Sequence, residues 1–398
     1  SIPAPSGFLG TVDDMWFRWI TDMGLPGPDR GTGGRYLLVG PGYDGPLSEG
    51  GFYVSHSRTT RVILLLRAFM IDNDPRVALD VIRNGLRISP YTPGGPGTSV
   101  GSFLAGDSPL APPTAPSETT FVEGSHVSFN TVPPSDSTYW ELLDELVQDE
   151  PVGSGDPDLL GLLAAVGISK GRKFEPDERM RRILDEALTV GNATARTLAF
   201  APRAAEGWAY YPGSQWMNML FAGGYEFLAP PPEITPQGVV IDPGNGARKL
   251  NARIAFFYPY TGITPAMCMR LTGIGSQYLI AMRDADGAFL DGGRDYRITL
   301  PPGIPQSRFW SVILYDRQTR SMLQTSQPKP SFGSQSGTVQ TNADGTTTIH
   351  IGPNAPAGAE SNWMQSIPGK GHFVVLRFYN PLQSFFDKTW RPSEIEPV

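Results

Sequence analysis

The residues best equipped for chemistry lie in one stretch, Glu360-Ser-Asn-Trp-Met-Gln-Ser-Ile-Pro-Gly-Lys-Gly-His372. It combines an acid, an amide, an aromatic ring, a cation and an imidazole, and loops on rigid scaffolds commonly carry function. His372 is the candidate base. Lys370 would neutralise a substrate carboxylate, as elimination from a polyuronate requires, and Tyr258 or Tyr315 would supply a proton. Glu360, Asn362 and Trp363, with Arg308 and Trp310, make up the candidate substrate-binding set. The competing reading of the loop is structural: a turn that packs Trp363 into the fold.

Arg308 and Trp310 belong to the stretch that ends Phe309-Trp-Ser-Val-Ile-Leu-Tyr-Asp-Arg-Gln-Thr-Arg320. Read as a strand, period 2 puts Arg308, Trp310, Val312 and Leu314 on one face and Phe309, Ser311, Ile313 and Tyr315 on the other. An arginine beside a tryptophan would hold a carboxylate or a sugar; a cation–π stack is the structural alternative. Asp316 is expected to pair with Arg320 across the turn, and the strand itself to lie at the centre of its sheet.

Other motifs offer less. Asp284-Ala-Asp-Gly287 with Asp291 is as oxygen-rich as a Ca²⁺ loop, but it lacks the bidentate glutamate and spacing of an EF-hand. A hairpin turn accounts for it, as for Asn342-Ala-Asp-Gly345. Gly27–Gly34 is a glycine-rich loop, yet it opens a strand, whereas a phosphate cradle opens a helix. Gly-x-Ser-x-Gly, His-Glu-x-x-His and paired-cysteine spacings are absent, and His56, His126, His350 and His372 lie far apart. No metal or cofactor is expected.

Composition sets the bounds. The chain has 398 residues, 40% of them hydrophobic and 18% charged, which is ample for a sizeable core. With 46 glycines and 39 prolines it suits many short strands joined by turns. A net charge of −7 without a basic run excludes a nucleic-acid footprint and weakens adhesion to anionic membranes. Cys268 stands alone, so no internal disulfide exists, and no apolar run is long enough to span a bilayer.

The pattern places these residues in three regions: a β-rich N-terminal domain (1–125), a helical segment with an aromatic, proline-rich connector (126–244), and a C-terminal β-sandwich (245–398). In the first, Asp13–Ile20 reads as a short helix or a strand. Thr59–Phe69 reads as a strand buried on both faces, and Asp74-Pro75 starts a helix. In the second, Thr138-x-x-Glu141 matches a capping box, Asp156-Pro157 starts a helix that Gly167 stops, and Pro176 starts another. Trp208, Tyr210, Tyr211, Trp216 and Phe221 form either a carbohydrate platform or packing between layers. In the third, strands are predicted at 252–258, 277–283, 296–300, 308–315, 346–351 and 372–379. The class is α+β, mainly β with a helical insert, the C-terminal part an antiparallel sandwich or jelly roll.

The chain resembles bacterial proteins that pair domain of unknown function 1254 with domain of unknown function 1214. The resemblance rests on Asp22-Met-Gly-Leu-Pro-Gly-Pro-Asp-Arg-Gly-Thr-Gly-Gly-Arg-Tyr-Leu-Leu38, Gly161–Asp177, Gly191-Asn-Ala-Thr-Ala-Arg196, Phe309–Asp316, Asn362-Trp363, Pro368-Gly-Lys-Gly371 and Thr389-Trp390. It implies a β-sandwich-rich fold, a periplasmic or secreted home, and an N-terminal domain shortened here, with strands and a secretion signal upstream. It also implies an aromatic residue, usually tryptophan, where this chain has His372.

Two readings of function remain. One is a carbohydrate-active enzyme, lyase or hydrolase, acting on envelope or extracellular glycans. It requires a cleft holding His372 with a tyrosine and an arginine in reach; a filled, dry region there excludes it. The other is a non-catalytic envelope or assembly protein, a homo-oligomer joined through its sandwich and long arms (89–120 and 323–340).

Overall fold

The computed structural model describes residues 2–4, 8–48, 50–70, 74–91, 122–128, 130–202, 208–221, 226–228, 233–235, 238–240, 247–260, 267 and 269–398. The fold is a β-rich α+β arrangement that divides into two units, Ser1–Val190 and Gly191–Val398. The expected arm at 89–120 lies almost wholly outside the described residues.

The first unit contains β1 (Ile2–Ala4), β2 (Phe8–Asp14), β3 (Trp19–Gly24), β4 (Gly34–Val39), β5 (Tyr53–His56) and β6 (Val62–Ala68). One sheet has the order β3-β2-β6 and the other β1-β4-β5. Their inner faces meet through Phe8, Val12, Met23 and Tyr36. Asp13–Ile20 is thus neither one helix nor one strand but a hairpin. Asp14 Oδ1 holds its turn by accepting the N–H groups of Trp16 (2.8 Å) and Arg18 (2.9 Å). Among the described residues β6 is an edge strand, and Leu65 is 42% exposed, so its apolar run is not buried on both faces.

The glycine-rich loop closes on itself. Asp29, 2% exposed, takes Gly24 N–H on Oδ1 (2.8 Å), Gly33 N–H on Oδ2 (3.0 Å), and the Tyr36 hydroxyl on Oδ1 at 2.5 Å. An internal carboxylate therefore fills the place that an anion would take in a phosphate-binding loop.

Helices follow: α1 (Pro75–Asp80), α2 (Thr138–Asp149), α3 (Pro157–Ala165) and α4 (Glu178–Phe200), the division between units falling inside α4. Asp74 and Asp156 cap α1 and α3 as expected, and Gly167, with φ +100°, ends the latter. The capping box of α2 does not form. Ser137 is the cap residue, and Asp136 Oδ1 accepts Thr138 N–H at 3.1 Å, a job an aspartate at this spacing does as well as a threonine.

The second unit holds β7 (Trp216–Met217), the small hairpin β8 (Glu233–Thr235) and β9 (Gly238–Val240), and α5 (Leu250–Phe257). Then come β10 (Ser276–Ala281), β11 (Tyr296–Leu300), β12 (Gln306–Asp316), β13 (Ser331–Gly333), β14 (Thr347–Gly352), β15 (Trp363–Gln365), β16 (His372–Pro381), α6 (Gln383–Phe386) and β17 (Glu396–Pro397). A five-stranded antiparallel sheet, β13-β12-β16-β10-β7, faces a four-stranded sheet, β15-β14-β11-β17, in which only the β14–β15 pair is parallel. Leu279, Trp310, Val312, Leu314, Val374, Leu376 and Phe378 from the first meet Tyr296, Ile298, Ile349, Ile351 and Met364 from the second. At roughly 1.5–3 kcal/mol per fully buried large apolar side chain, this interior is the unit's main source of stability.

Three expectations change. β16, not β12, is the middle strand of five. Residues 252–257 are helical rather than extended, with Tyr258 as C-cap, because Ala252, Ala255 and Phe256 reach the core at helical spacing. The supposed arm at 323–340 contains β13, whose Phe332 packs in the sandwich. Of the two readings of the aromatic connector, packing holds: Trp208, Tyr210, Tyr211 and Trp216 are buried, and the side chain of Phe221 lies outside the described residues.

Among the described residues, helices cover one end of the outer face of the five-stranded sheet. At one end Ile280, Met282, Phe373 and Val375 pack under Phe200, Ala255 and Phe256 of α4 and α5. Toward the other end the same face carries Ser276, Tyr278, Phe309, Arg377 and Tyr379.

Candidate functional site

The structure does not gather the expected site residues into one cleft. His372 is 0% exposed, and neither ring nitrogen has a hydrogen-bond partner. Its ring meets Tyr296 edge-on at 6.1 Å. Burial, helped by the Arg317 charge, pushes its pKa down to about 4, with Asp291 opposing. A base must reach the proton it removes, and this imidazole meets no solvent. It fills a core position.

The rest of the loop is held by structural contacts. Asn362 is 6% exposed and satisfied three times: Nδ2 donates to Gln340 O (2.7 Å) and Thr348 O (2.9 Å), and Oδ1 accepts Gln340 N–H (2.9 Å). Trp363 Nε1 donates to Gly352 O at 3.0 Å. The exposed Glu360 carboxyl is held below the usual range by its own backbone N–H and then by that of Gly358, which it accepts at 3.0 Å. Lys370 Nζ lies 2.9 Å from Asp316 Oδ2, so Asp316 pairs with Lys370 and not with Arg320. Arg320 instead donates to Tyr258 O (2.9 Å) and lies over the Tyr258 ring at 4.2 Å. Tyr258 donates to Asn192 Oδ1 at 3.1 Å.

Arg308 is exposed while Trp310, 5% exposed, points into the sandwich. A bulge between Gln306 and Phe309 breaks the alternation that would have put them on one face. Asp284, also 0% exposed, spends Oδ1 on the N–H groups of Asp286 (3.1 Å) and Ala288 (2.9 Å), which makes its motif a hairpin turn. Among the described residues no group of three or more His, Cys, Asp or Glu side chains could hold a metal ion. A cavity of about 100 Å³, lined by Phe200, Pro202, Gln215, Met217, Met282 and Arg283, contains none of the expected residues.

Tyr315 is the exception, because it stands in a polar cluster. Strand register sets Arg377 of β16 opposite Tyr278 on one side and Ser311 on the other. The half-buried guanidinium donates to the Tyr315 hydroxyl and, at 3.5 Å, to that of Tyr379. It lies 5.3 Å from the Tyr278 ring and 5.8 Å from the Tyr315 ring. Tyr278 and Ser276 share a hydrogen bond of 2.9 Å. Phe309 stacks on Tyr379 at 3.8 Å, both rings half-buried. Arg377 Nε is buried without a partner, and no carboxylate among the described residues pairs with the guanidinium. Burial pushes the Tyr315 hydroxyl up, so it is a proton donor at neutral pH and not a base. The arrangement can bind a planar anion, with ring surfaces beside it for apolar faces.

The signal for this cluster was present in His372-Phe-Val-Val-Leu-Arg-Phe-Tyr379. A lone arginine interrupts a buried strand there and shares the period-2 face of Tyr379.

Two family models match the chain: protein of unknown function DUF1254 over residues 1–90 and protein of unknown function DUF1214 over residues 275–383. The chain belongs to the proteins that join these two domains in that order. No curated protein matches it. A crystal structure of the VPA0106 protein from Vibrio parahaemolyticus is similar, with 19% identity and a TM-score of 0.51 over 100% of this chain and 85% of that one. That likeness shows a shared fold. An uncharacterised protein from Burkholderia cenocepacia aligns at 14% identity with a TM-score of 0.37, over 100% and 72% of the two chains. Among the described residues no helix is long and apolar enough to cross a membrane.

Proposed function

We propose that the C-terminal unit binds a carboxylate-bearing ligand, an acidic glycan, and that it binds without turning it over. The observation that carries this is Arg377: a half-buried guanidinium among tyrosines, with no carboxylate partner in the described chain. A desolvated, unpaired charge is costly, and a bidentate carboxylate is its natural complement. The Phe309–Tyr379 stack offers the adjacent aromatic surface that a sugar ring needs. Against lyase chemistry stand the enclosed His372 and the raised Tyr315 hydroxyl, which leave the cluster without a base. The family resemblance supports an extracytoplasmic setting, where such glycans occur.

Calorimetry with oligogalacturonates against neutral maltooligosaccharides tests the reading. Arg377→Gln should weaken uronate binding by about tenfold or more, the ~1.4 kcal/mol or more that a charge-assisted pair contributes. Equal affinity for acidic and neutral sugars, or an unchanged Arg377→Gln, overturns it. Appearance of the ultraviolet absorbance of an unsaturated uronate would restore the lyase.

A homo-oligomer is a second proposal, favoured by β6, an edge strand among the described residues, with Leu65 42% exposed. Light scattering on the wild type and on Leu65→Lys tests it; a monomer at all concentrations rejects it.

A further inference from the structure

We propose that Arg196, Arg283, Arg317 and Arg320 form a second anion site, built for a phosphate-type oxyanion. The site shares no residue with the Arg377 cluster and does not depend on it.

Four arginines crowd the turn after β12, near enough that Arg196 and Arg283 act electrostatically on Arg317, and Arg196 on Arg320. Arg283 and Arg317 both lie over Phe289, at 3.9 Å and 4.7 Å from the ring centre, and that ring is 37% exposed. Arg196 Nη1 donates to Gln318 Oε1 at 2.5 Å, which fixes it beside residue 317. Arg320 has φ +62°, a left-handed conformation that costs energy outside glycine, and it turns the side chain back over Tyr258. Gly371 lies against Arg317: a Cβ there would stand 2.7 Å from the guanidinium carbon, so any side chain displaces this arginine.

Among the described residues none of the four forms an ion pair. Asp316 is committed to Lys370 and to the turn N–H groups of Gln318 and Thr319. Asp291 acts on Arg317 from a distance, its Oδ1 accepting Gly293 N–H at 2.8 Å. Burial and then the neighbouring arginines push Arg317 down; for Arg320, burial and Arg196 do the same against Tyr258. In a chain of net charge −7, such crowding of like charges is unfavourable unless an anion relieves it. Sharing Phe289 gives each guanidinium a ring contact but leaves the repulsion between the two charges uncompensated. Several guanidinium groups converging from separate elements match a tetrahedral oxyanion with more than one charge.

The test is calorimetry and thermal melting of the full chain with inorganic phosphate and pyrophosphate, at low ionic strength and with chloride of equal ionic strength as control. Both anions should raise the melting temperature where chloride does not. Arg317→Gln and Arg283→Gln should each weaken pyrophosphate binding at least tenfold while leaving uronate binding unchanged. Gly371→Ala keeps every charge and moves only the Arg317 guanidinium, so it should weaken pyrophosphate binding as well. Without anion, Arg317→Gln should melt no lower than wild type, since it relieves repulsion. Cosedimentation with phosphatidylglycerol vesicles, against phosphatidylcholine alone, separates a lipid headgroup from a free phosphate as the source. A chloride response equal to that of pyrophosphate, or all three variants binding like wild type, overturns the proposal.

Discussion

Lys370 Nζ and Asp316 Oδ2 lie 2.9 Å apart and tie the loop before β16 to the end of β12. Burial alone would raise the Asp316 carboxyl; the Lys370 hydrogen bond and the N–H groups of Gln318 and Thr319 outweigh it and hold it below its usual range. Its folded pKa is depressed, so its contribution to stability is present above the unfolded value of 3.8 and is lost as pH falls below it. Lys370 is half-exposed, which discounts the pair through solvent screening. Lys370→Ala should cost about 1 kcal/mol at pH 7 in chemical denaturation. The gap from wild type should close once Asp316 is protonated.

His372 gives a larger pH effect. Its folded pKa of about 4 lies below the unfolded 6.5, so the unfolded chain binds the extra proton between these values. Stability of the second unit should therefore fall as pH drops from 6.5 to 4, by on the order of 3 kcal/mol, and level off below. His372→Phe should abolish this slope in pH-dependent melting and raise stability at pH 5. Asp22 in the first unit runs the other way. Burial raises its carboxyl from 3.8 to about 6, against hydrogen bonds from Thr11 and Trp19, so stability is lost as pH rises through that window. Calorimetric melting between pH 4 and 6 should shift the two units in opposite directions.

Asn362 is a sharper structural test. Removing its side chain leaves Gln340 N–H and the carbonyls of Gln340 and Thr348 without their partner. Asn362→Ala should cost about 2–4 kcal/mol, whereas the exposed Glu360→Ala should stay within about 0.5 kcal/mol. Urea melts of the two variants measure the contrast.

The strands of the sandwich were legible because burial writes itself into period 2: 296–300 matched β11 to the residue, and β12, β14 and β16 differed only at their ends. Helix α5 was not, since Ile254-Ala-Phe-Phe257 satisfies either period over so short a run. The site was harder. Residues 360–372 are rich in reactive groups, but which of them meet depends on a bulge in β12, on the Asp316–Lys370 pair and on burial of position 372. None of these is local. Arg377 and its tyrosines come from three strands, and only their register brings them together.

Asp29 finally makes the glycine-rich loop a site for chemical rescue. Its carboxylate is an anion supplied by the chain itself, held by two backbone N–H groups and the Tyr36 hydroxyl. Asp29→Gly should destabilise the first unit by about 2–4 kcal/mol, as loss of a buried hydrogen-bond hub does. Formate or acetate diffusing into the gap should restore much of that loss, where chloride at equal ionic strength does not. A melting temperature that ignores formate would mean that the loop needs the covalent tether and not merely the charge.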